Sequence, residues 1–181
     1  MSEERVPARP NMDEYLMGIA LAVRKRANCV GNRVGALIAK DGRIVSTGYN
    51  GTPRHMPNCL EGGCLRCANR EAHPPGTSYD LCICVHAEQN ALLGAARFGI
   101  AVEGGVLYTT TQPCFSCMKE MLQAGIERVF YLHAWTHPDA AYRAEYDKLQ
   151  GYFAGGVNPL AIADPEADWA VSTRRAVKSG D

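Results

Sequence analysis

Two short segments of the chain carry side chains that can bind a metal ion and move protons. A His-Ala-Glu sequence contains His86 and Glu88, and a Pro-Cys-x-x-Cys sequence begins 28 residues later with the ligand pair Cys114 and Cys117. One histidine and two cysteines supply three zinc ligands and leave a fourth position open, as in catalytic rather than structural zinc sites. Zinc lowers the pKa of a bound water to about 7, and Glu88 is placed to take its proton. We therefore predict a catalytic zinc bound by His86, Cys114 and Cys117, with Glu88 as the catalytic acid and base.

Both groups are predicted to lie at the start of a helix. The residue pattern favours helices over about 85–98 and 114–123, and Pro113 suits a first turn because its missing N–H needs no partner there. Cys114 and Cys117 are three residues apart, so their side chains share one face of the second helix. A helix N-terminus favours anions, which helps cysteines to bind metal as thiolates. We expect the two N-termini to converge on one ion.

Each part of this pattern also has an ordinary structural explanation. A Cys-x-x-Cys pair is often part of a structural site, and a histidine at a helix start is commonly a cap. An acidic residue in a first turn is the usual dipole preference. The three features together, in this order and at strand-to-helix junctions, favour a catalytic site over a structural one.

The rest of the chain alternates between strands and helices. Residues 34–39 and 43–49 are β-rich runs around Asp41-Gly42, a turn sequence that favours a hairpin. The other predicted elements are a helix from Met12 to about 28, strands over 106–111 and 128–133, a helix over 139–150 and a last strand within 151–162. A hairpin followed by alternating strands and helices indicates a three-layer α/β domain.

The domain is predicted to occupy residues 11–162. Residues 1–10 form a flexible N-terminal arm, and the polar residues 163–181 form a C-terminal tail. Residues 50–84 are a Cys-rich insert with many glycines and prolines and no clear periodicity. A loop of this length is unusual in a compact domain unless something holds it, and its cysteines are the obvious candidates.

Composition narrows the function classes. The chain has 181 residues, 46% of them apolar, and a formal net charge of zero. Proteins that bind polynucleotide backbones usually carry a basic excess, so we expect no polynucleotide partner. No run approaches the roughly 20 apolar residues of a membrane span, and the N-terminus lacks the apolar core of a signal peptide. We therefore expect a cytoplasmic protein with no membrane partner, in which eight cysteines indicate metal ligation or catalysis rather than disulfides.

Over about residues 11–160 the sequence resembles the cytidine and deoxycytidylate deaminase superfamily. The resemblance rests on His-Ala-Glu with Pro-Cys-x-x-Cys, the zinc signature of nucleobase deaminases, and on a Gly-Tyr-Asn-Gly element around Asn50. The long link of 36 residues between Asn50 and His86, and Val-Gly-Ala at 34–36, are similar to the deoxycytidylate (dCMP) deaminase family. That family implies a cytidine deaminase-like α-β-α fold, a mixed five-stranded sheet flanked by helices.

The resemblance also implies a reaction and its contacts. Zinc-bound hydroxide would attack C4 of the cytosine of dCMP, Glu88 would shuttle the protons, and dUMP and ammonia would leave. By the same resemblance, Asn50 contacts the substrate near its sugar, and backbone around Ala87 and Thr111 grips the pyrimidine ring. Trp135 either stacks on the base or lies on the rim of the site. The resemblance does not identify the phosphate-binding residues.

Assembly and regulation are implied in the same way. The family is associated with hexamers, activation by dCTP and inhibition by dTTP. The regulatory nucleotide would bind near Gly48, Tyr49, Asn50 and Gly51. Gln89 departs from the family, because it stands where many members have an apolar residue, and we expect it only to repack its helix.

A second zinc is predicted in the Cys-rich insert. Six cysteines lie in it or in the preceding region: Cys29, Cys59, Cys64, Cys67, Cys82 and Cys84. Four thiolates make a closed structural site, which would order a long irregular segment. Cys29, Cys59 and Cys84 match positions that bind an extra zinc in some dCMP deaminases. Cys67 is added as the fourth ligand, in preference to Cys64 or Cys82. The alternative is that several of these are free buried thiols that pack as small hydrophobic side chains.

Three functions remain open at this point. The first is a dCMP deaminase, the second a deaminase of another small nucleoside or nucleobase, and the third a non-catalytic zinc-binding protein with the deaminase fold. The presence of Glu88 and an open coordination position favour an enzyme. Contacts to a phosphate would separate the first function from the second.

Overall fold

The structure, a computed structural model, describes residues 8–73, 78–137 and 139–171. Its centre is a sheet with strand order β2-β1-β3-β4-β5, formed by β1 (Gly35–Lys40), β2 (Arg43–Tyr49), β3 (Val106–Thr111), β4 (Arg128–His133) and β5 (Val157–Pro159). The helices are α1 (Met12–Arg24), α2 (Leu65–Ala68), α3 (Ala87–Arg97), α4 (Phe115–Gln123), α5 (Ala140–Gln150) and α6 (Ala167–Ala170). Short 3₁₀ turns cover Cys59–Glu61 and Tyr79–Leu81.

The sheet is mixed, as the family resemblance implies. The hairpin strands β1 and β2 are antiparallel, and β1 also pairs antiparallel with β3. Strands β3, β4 and β5 are parallel to one another. Asp41 and Gly42 both have positive φ, 51° and 71°, which is the backbone of the tight turn expected between hairpin strands.

Helices cover both faces of the sheet and complete the three predicted layers. On one face, Leu16 and Met17 of α1 pack with Leu37 of β1 and Tyr108 of β3. A second buried cluster joins the other face of the sheet to α3, α4 and α5: Ile38, Ala91, Leu107, Met118, Met121, Ile126, Val129, Tyr146 and Phe153. Ile38 and Leu37 are neighbours that point to opposite faces because side chains alternate along a strand. The sheet is thus buried on both sides in its centre.

Gly48 on β2 allows α3 to lie very close to the sheet. A Cβ atom at this position would lie 2.1 Å from the Ala87 carbonyl oxygen and 2.4 Å from the Ala91 amide nitrogen. Only glycine permits this approach, which fixes where α3 begins, and α3 begins directly after His86. Sheet packing therefore helps to set the position of a predicted metal ligand.

The first helix is shorter than the predicted span, which extended to about residue 28. It ends at Arg24, and the chain then turns so that the Asn28 amide donates to the Asn50 carbonyl oxygen at 3.2 Å. Arg24 is not a solvated residue at the helix end, since only 1% of its side chain is exposed. The periodic apolar pattern could not show that this last turn was needed to deliver Cys29 to the insert.

The predicted C-terminal tail, 163–181, packs against the domain in its first part. Asp164 accepts hydrogen bonds at 2.7 Å from both Nη1 and Nη2 of Arg24, and the Arg33 guanidinium lies 4.6 Å from the ring centre of Trp169. The Arg24 guanidinium holds the pKa of the Asp164 carboxyl well below its usual range. The domain therefore extends at least to residue 171 in place of the predicted boundary at 162. Residues 172–181 of that tail, and residues 1–7 of the predicted arm, lie outside the described residues.

Among the helices that the structure describes, none combines the length and the apolar character needed to cross a membrane.

Candidate active site

His86, Cys114 and Cys117 meet beside the carboxyl end of β3. His86 Nδ1 lies 3.4 Å from the sulfur of Cys114 and 3.4 Å from that of Cys117, and the two sulfurs are 3.5 Å apart. His86 caps α3 and Cys114 caps α4, so each helix begins at one ligand. The structure thus places the three side chains at two helix N-termini, where the backbone favours negative charge.

The spacing of these three atoms fits a tetrahedral metal. Zn–S and Zn–N bonds of about 2.3 and 2.0 Å place neighbouring ligand atoms roughly 3.4–3.8 Å apart. Hydrogen bonds from Cys117 and then His86 lower the pKa of the Cys114 thiol to about 4, and the bond to Cys114 raises the pKa of His86 to about 9. An anionic sulfur is therefore favoured here, and thiolate is the form that binds zinc.

Glu88 lies beside this group of ligands. Its side chain is buried, Oε2 is 3.7 Å from the Cys117 sulfur, and Oε1 accepts a hydrogen bond from Thr109 Oγ1 at 3.4 Å. Burial raises the pKa of the Glu88 carboxyl, and the neighbouring His86 offsets part of that effect. A carboxyl group whose pKa is shifted towards neutrality can accept and return a proton at physiological pH.

Contacts between the helices fix the orientation of the ligands. The Gln89 side chain accepts a hydrogen bond from the His86 amide at 2.9 Å and donates to Glu120 on α4 at 2.9 Å. The Tyr146 hydroxyl on α5 donates to the Pro113 carbonyl oxygen, directly before Cys114. From the sequence we expected Gln89 only to repack its helix. It does more, because it joins the two helix starts that carry the candidate metal ligands.

A cavity of about 340 Å³ opens from this group of residues, within the range of small-molecule sites. His86, Cys114 and Glu88 form part of its wall. A fourth coordination position of the metal would therefore face the cavity. The four residues predicted to contact substrate also line it: Asn50, Ala87, Thr111 and Trp135.

The environments of Asn50 and Trp135 differ. Asn50 is buried, and its side chain accepts from the Val34 amide at 2.8 Å and donates to the Asn32 carbonyl oxygen at 2.7 Å. One amide hydrogen of Asn50 is left for other partners. Trp135 is half-buried and packs edge-on against Tyr146 with ring centres 6.1 Å apart. Both residues therefore present a surface to the cavity while the protein holds them in place.

Arg66 and Arg70 also line the cavity, and sequence reasoning did not identify them. Arg66 belongs to α2 and Arg70 follows that helix, so both come from the Cys-rich insert. Arg70 Nη1 donates to the Val30 carbonyl oxygen at 3.3 Å, which holds the guanidinium at the cavity wall. The sequence signal was two arginines four residues apart in a segment with no periodicity, but only the fold shows that they line the same cavity as His86.

Comparison with known proteins places this geometry in a family. The family model described as the cytidine and deoxycytidylate deaminase zinc-binding region matches residues 10–133. The chain belongs to this family. The three candidate metal ligands and Glu88 thus lie within the residues matched by the family model.

Several relatives are named deoxycytidylate deaminase. The protein from Saccharomyces cerevisiae is 39% identical over 135 residues, which are 75% of this chain and 42% of that protein. The protein from Mycobacterium phage D29 is 41% identical over 130 residues, which are 68% of this chain and 96% of that protein. The chain spans about two fifths of the length of the two yeast relatives that it matches, the second being from Schizosaccharomyces pombe.

A solved structure supports the fold. The crystal structure of the dCMP deaminase from cyanophage S-TIM5, in complex with dCMP and dUMP, has a TM-score of 0.63 and 28% sequence identity. The match covers 85% of this chain and 100% of the phage chain. The mixed five-stranded sheet with flanking helices is therefore that of the deaminase fold.

The Gly48–Gly51 turn of this deaminase domain is only partly available to a regulatory nucleotide. Gly48 lies against α3, and Gly51 forms an isolated bridge with Val85. Asn50 faces the catalytic cavity, while Tyr49 is 37% exposed and its carbonyl oxygen accepts from the Asn90 side chain at 2.7 Å. Tyr49 is thus the residue of the four whose side chain is exposed at the surface.

The cysteines of the insert form a second group of potential metal ligands. The sulfur atoms of Cys29, Cys59, Cys67 and Cys84, the four predicted from the sequence, all lie within 4.8 Å of one another. Cys64, Cys67, Cys82 and Cys84 satisfy the same condition. The predicted set, which includes Cys67 and neither Cys64 nor Cys82, is therefore one of two candidate sets, since all six cysteines lie together.

Proposed function

We propose that this protein is a zinc-dependent hydrolytic deaminase that converts dCMP to dUMP and releases ammonia. The observation that carries the proposal is one cavity whose wall contains both the metal-binding group with Glu88 and two arginines of the insert. The candidate metal ligands with Glu88 suit deamination of a cytosine ring, and the two arginines suit a substrate with a phosphate. The names of the relatives support the same substrate.

The residues proposed to hold the catalytic zinc are His86, Cys114 and Cys117. Zinc bound there would act as a Lewis acid and make water a nucleophile at neutral pH. Glu88 would take one proton from the attacking water and deliver it to the ring nitrogen next to C4. It would then take the second proton, from the hydroxyl now on C4, and deliver it to the departing amine. Its burial keeps the carboxyl group away from bulk water during these transfers.

The remaining cavity residues are proposed to hold the nucleotide. Asn50 uses its free amide hydrogen near the sugar, and the backbone at Ala87 and Thr111 contacts the pyrimidine. Trp135 supplies an aromatic surface for the base. These roles follow from their positions in the cavity wall and from the family resemblance.

Arg66 and Arg70 are proposed to bind the phosphate. A guanidinium is the side chain best suited to a phosphate, because its planar N–H groups can donate to two oxygens. The half-buried setting of both arginines reduces solvent screening of their charge. They distinguish a nucleotide from a nucleoside, which lacks the phosphate.

A comparison of two substrates tests this assignment. In the wild-type protein, kcat/KM for dCMP should exceed that for deoxycytidine. Arg66→Gln with Arg70→Gln should lower kcat/KM for dCMP about 10–100-fold, since a hydrogen bond to a charged group contributes about 1.5–3 kcal/mol. The value for deoxycytidine should change little.

The exposed Arg54, which does not line the cavity, provides the matched control Arg54→Gln. Equal efficiency on dCMP and deoxycytidine in the wild type would remove the phosphate from the proposal and favour a nucleoside deaminase. Absence of ammonia release from every cytosine substrate, in a protein that contains zinc, would favour a non-catalytic function.

Further features are proposed at the level of assembly and regulation. We propose a hexamer that is activated by dCTP and inhibited by dTTP, with Tyr49 at the regulatory site. Exposed apolar side chains support self-association, since Leu93 on α3 is 60% exposed and Phe98 after it is 75% exposed. Mass measurement in solution, and rates at fixed dCMP with each triphosphate, test these points. A cytoplasmic location stays a prediction from the sequence.

A structural zinc is proposed as well, bound by Cys29, Cys59, Cys67 and Cys84. Four thiolates within 4.8 Å fit a closed tetrahedral site. A metallated sample with a single zinc per chain would contradict this proposal.

A further inference from the structure

The insert contains more thiolates than one structural metal can use. A four-coordinate ion on Cys29, Cys59, Cys67 and Cys84 leaves Cys64 and Cys82 without a role. Yet Cys64 is fully buried, and its sulfur lies 3.9 Å from that of Cys82. These two cysteines form a second group of four with Cys67 and Cys84.

We propose that the six cysteines bind two zinc ions as one binuclear cluster, in which the sulfurs of Cys67 and Cys84 bridge the metals. Two four-coordinate ions that share two thiolates need six cysteines, which is the number present. Cys29 and Cys59 are the terminal ligands of one ion, and Cys64 and Cys82 are the terminal ligands of the other.

The distances agree with this arrangement. A tetrahedral site with Zn–S bonds of about 2.3 Å has sulfurs roughly 3.8 Å apart. The Cys29 and Cys67 sulfurs are 3.9 Å apart, and so are those of Cys64 and Cys82. Each of these pairs joins a terminal ligand to a second ligand of the same ion, so both halves of the cluster have the required dimensions.

Backbone donors and nearby cations suit a negatively charged cluster. The amides of Val30 and Gly31 donate to the sulfurs of Cys59 and Cys29, at 3.4 and 3.3 Å. Six thiolates with two divalent cations carry a net negative charge. A Cβ atom at Gly31 would lie 3.2 Å from the Cys29 sulfur and 3.7 Å from Arg70 Nη1, so both groups border Gly31 and the guanidinium offsets part of that charge.

The local structure around the six cysteines also indicates a bound metal. The ligands stand on the loop after α1, on the 3₁₀ turn Cys59–Glu61, at both ends of α2 and on the approach to α3. The buried apolar cluster of this region consists of cysteine side chains, with Val30 and Cys82 packed against it. A core of this size buries little apolar surface, so metal bonds would supply most of the stabilisation.

Zinc is the ion that this ligand set favours. Soft thiolates select zinc, copper(I) or iron–sulfur clusters, and a tetrahedral all-sulfur environment is typical of zinc or iron–sulfur sites. Zinc imposes no geometry of its own and needs no assembly of inorganic sulfide, so it tolerates the six-cysteine arrangement.

Metal counting on purified full-length variants tests the proposal. The wild type should contain three zinc ions per chain, one of them at His86, Cys114 and Cys117. Cys64→Ser with Cys82→Ser should reduce the count to two. A change at a bridging position, Cys67→Ser, should reduce it to one, because both ions of the cluster lose a ligand. The matched control Cys114→Ser should lose only the catalytic zinc.

X-ray absorption at the zinc edge of the wild type gives a result that does not depend on any variant folding. A zinc–zinc distance typical of thiolate-bridged ions is expected. A wild-type count of two that Cys64→Ser with Cys82→Ser leaves unchanged would overturn the proposal, and so would iron with acid-labile sulfide in place of zinc. The proposal does not depend on deaminase activity, so a failure of either can be recognised separately.

Discussion

The catalytic metal ligands and the cysteines of the insert are supported by different kinds of structure. His86 and Cys114 cap helices that pack on a central five-stranded sheet, and side-chain contacts such as Gln89 to Glu120 join these helices. The cysteines of the insert stand on loops and helical turns of three or four residues, and the buried side chains around them are mostly other cysteines. The first set is positioned by packing, whereas the second has little apolar packing around it and would depend on the ions proposed to bind there.

This difference suggests that the two regions have different functions within one domain. The reaction requires ligands and a carboxyl group that keep their places when metal and substrate exchange, and packed helices provide this. The insert has the different task of carrying Arg66 and Arg70 to the cavity. Metal ligation can order a segment that lacks its own hydrophobic core, because the binding free energy contributes to folding.

Removal of metal should have the largest effect and should affect the two regions differently. Apparent binding energies of structural zinc are about 10–16 kcal/mol, so a chelator should unfold the insert while the sheet stays intact. Hydrogen exchange should show loss of protection by several orders of magnitude over residues 58–73 and 78–84. Protection in β1, β3 and β4 should persist. Equal loss in both regions would show that the sheet also depends on metal.

A change at Glu88 should separate catalysis from metal binding. Glu88→Gln keeps the size of the side chain but removes the proton carrier, and kcat should fall about 10²–10⁴-fold. The zinc content and the exchange pattern of the insert should match those of the wild type. Glu127→Gln, at an exposed position, is the control and should retain full activity. Undiminished turnover in Glu88→Gln would refute the assignment of Glu88.

The ion pair of Arg24 with Asp164 tests whether packing and charge stabilise the sheet domain without metal. Asp164→Ala leaves a buried guanidinium without its partner, and the free energy of unfolding should fall by about 3–5 kcal/mol. Denaturant titration at neutral pH measures this, and the metal count should not change. A loss of zinc in this variant would mean that the two regions are not independent.

The same pair predicts a dependence on pH. The pKa of Asp164 is lowered in the folded protein, so its stabilising effect is present above the unfolded pKa of about 3.9 and is lost as the pH falls. The difference in unfolding free energy between wild type and Asp164→Asn should therefore shrink as the pH is lowered below about 4. A difference that is constant from pH 7 to pH 3 would exclude a charged Asp164 as the cause.

The smallest effect is expected at the neighbouring surface pair. Lys25 and Glu166 are 3.0 Å apart, with 60% and 39% of their side chains exposed. Glu166→Gln should change the free energy of unfolding by less than about 1 kcal/mol, because solvent screens such pairs. The contrast with Asp164→Ala then isolates burial as the source of the larger effect.

Local sequence patterns predicted much of the fold because they reflect contacts between near neighbours. The bounds of β3 and β4 match the predicted runs, and α4 begins within one residue of the predicted start. Pro113 precedes the N-cap Cys114 and therefore lies outside the first helical turn in which it was predicted. The His86 and Cys114 junctions were also predictable, since ligand type and helix start coincide there.

Features that depend on distant residues were not predictable. Asp164 meets Arg24 across 140 positions of sequence, so the segment after residue 162 resembled a free tail. Arg66 and Arg70 are ordinary surface cations until the fold brings them to the cavity. The sequence also favoured Cys67 over its neighbours, although the structure shows all six cysteines together.

The short helix α2 has a consequence for how the proposed deaminase would respond to its surroundings. It begins after Cys64 and contains both Cys67 and Arg66, so one turn of helix carries metal ligands and a proposed phosphate contact. If the proposed metals of the insert were lost while the catalytic zinc stayed bound, KM for dCMP should rise and kcat should change little. Affinity for the proposed substrate would then depend on whether the insert holds its metal.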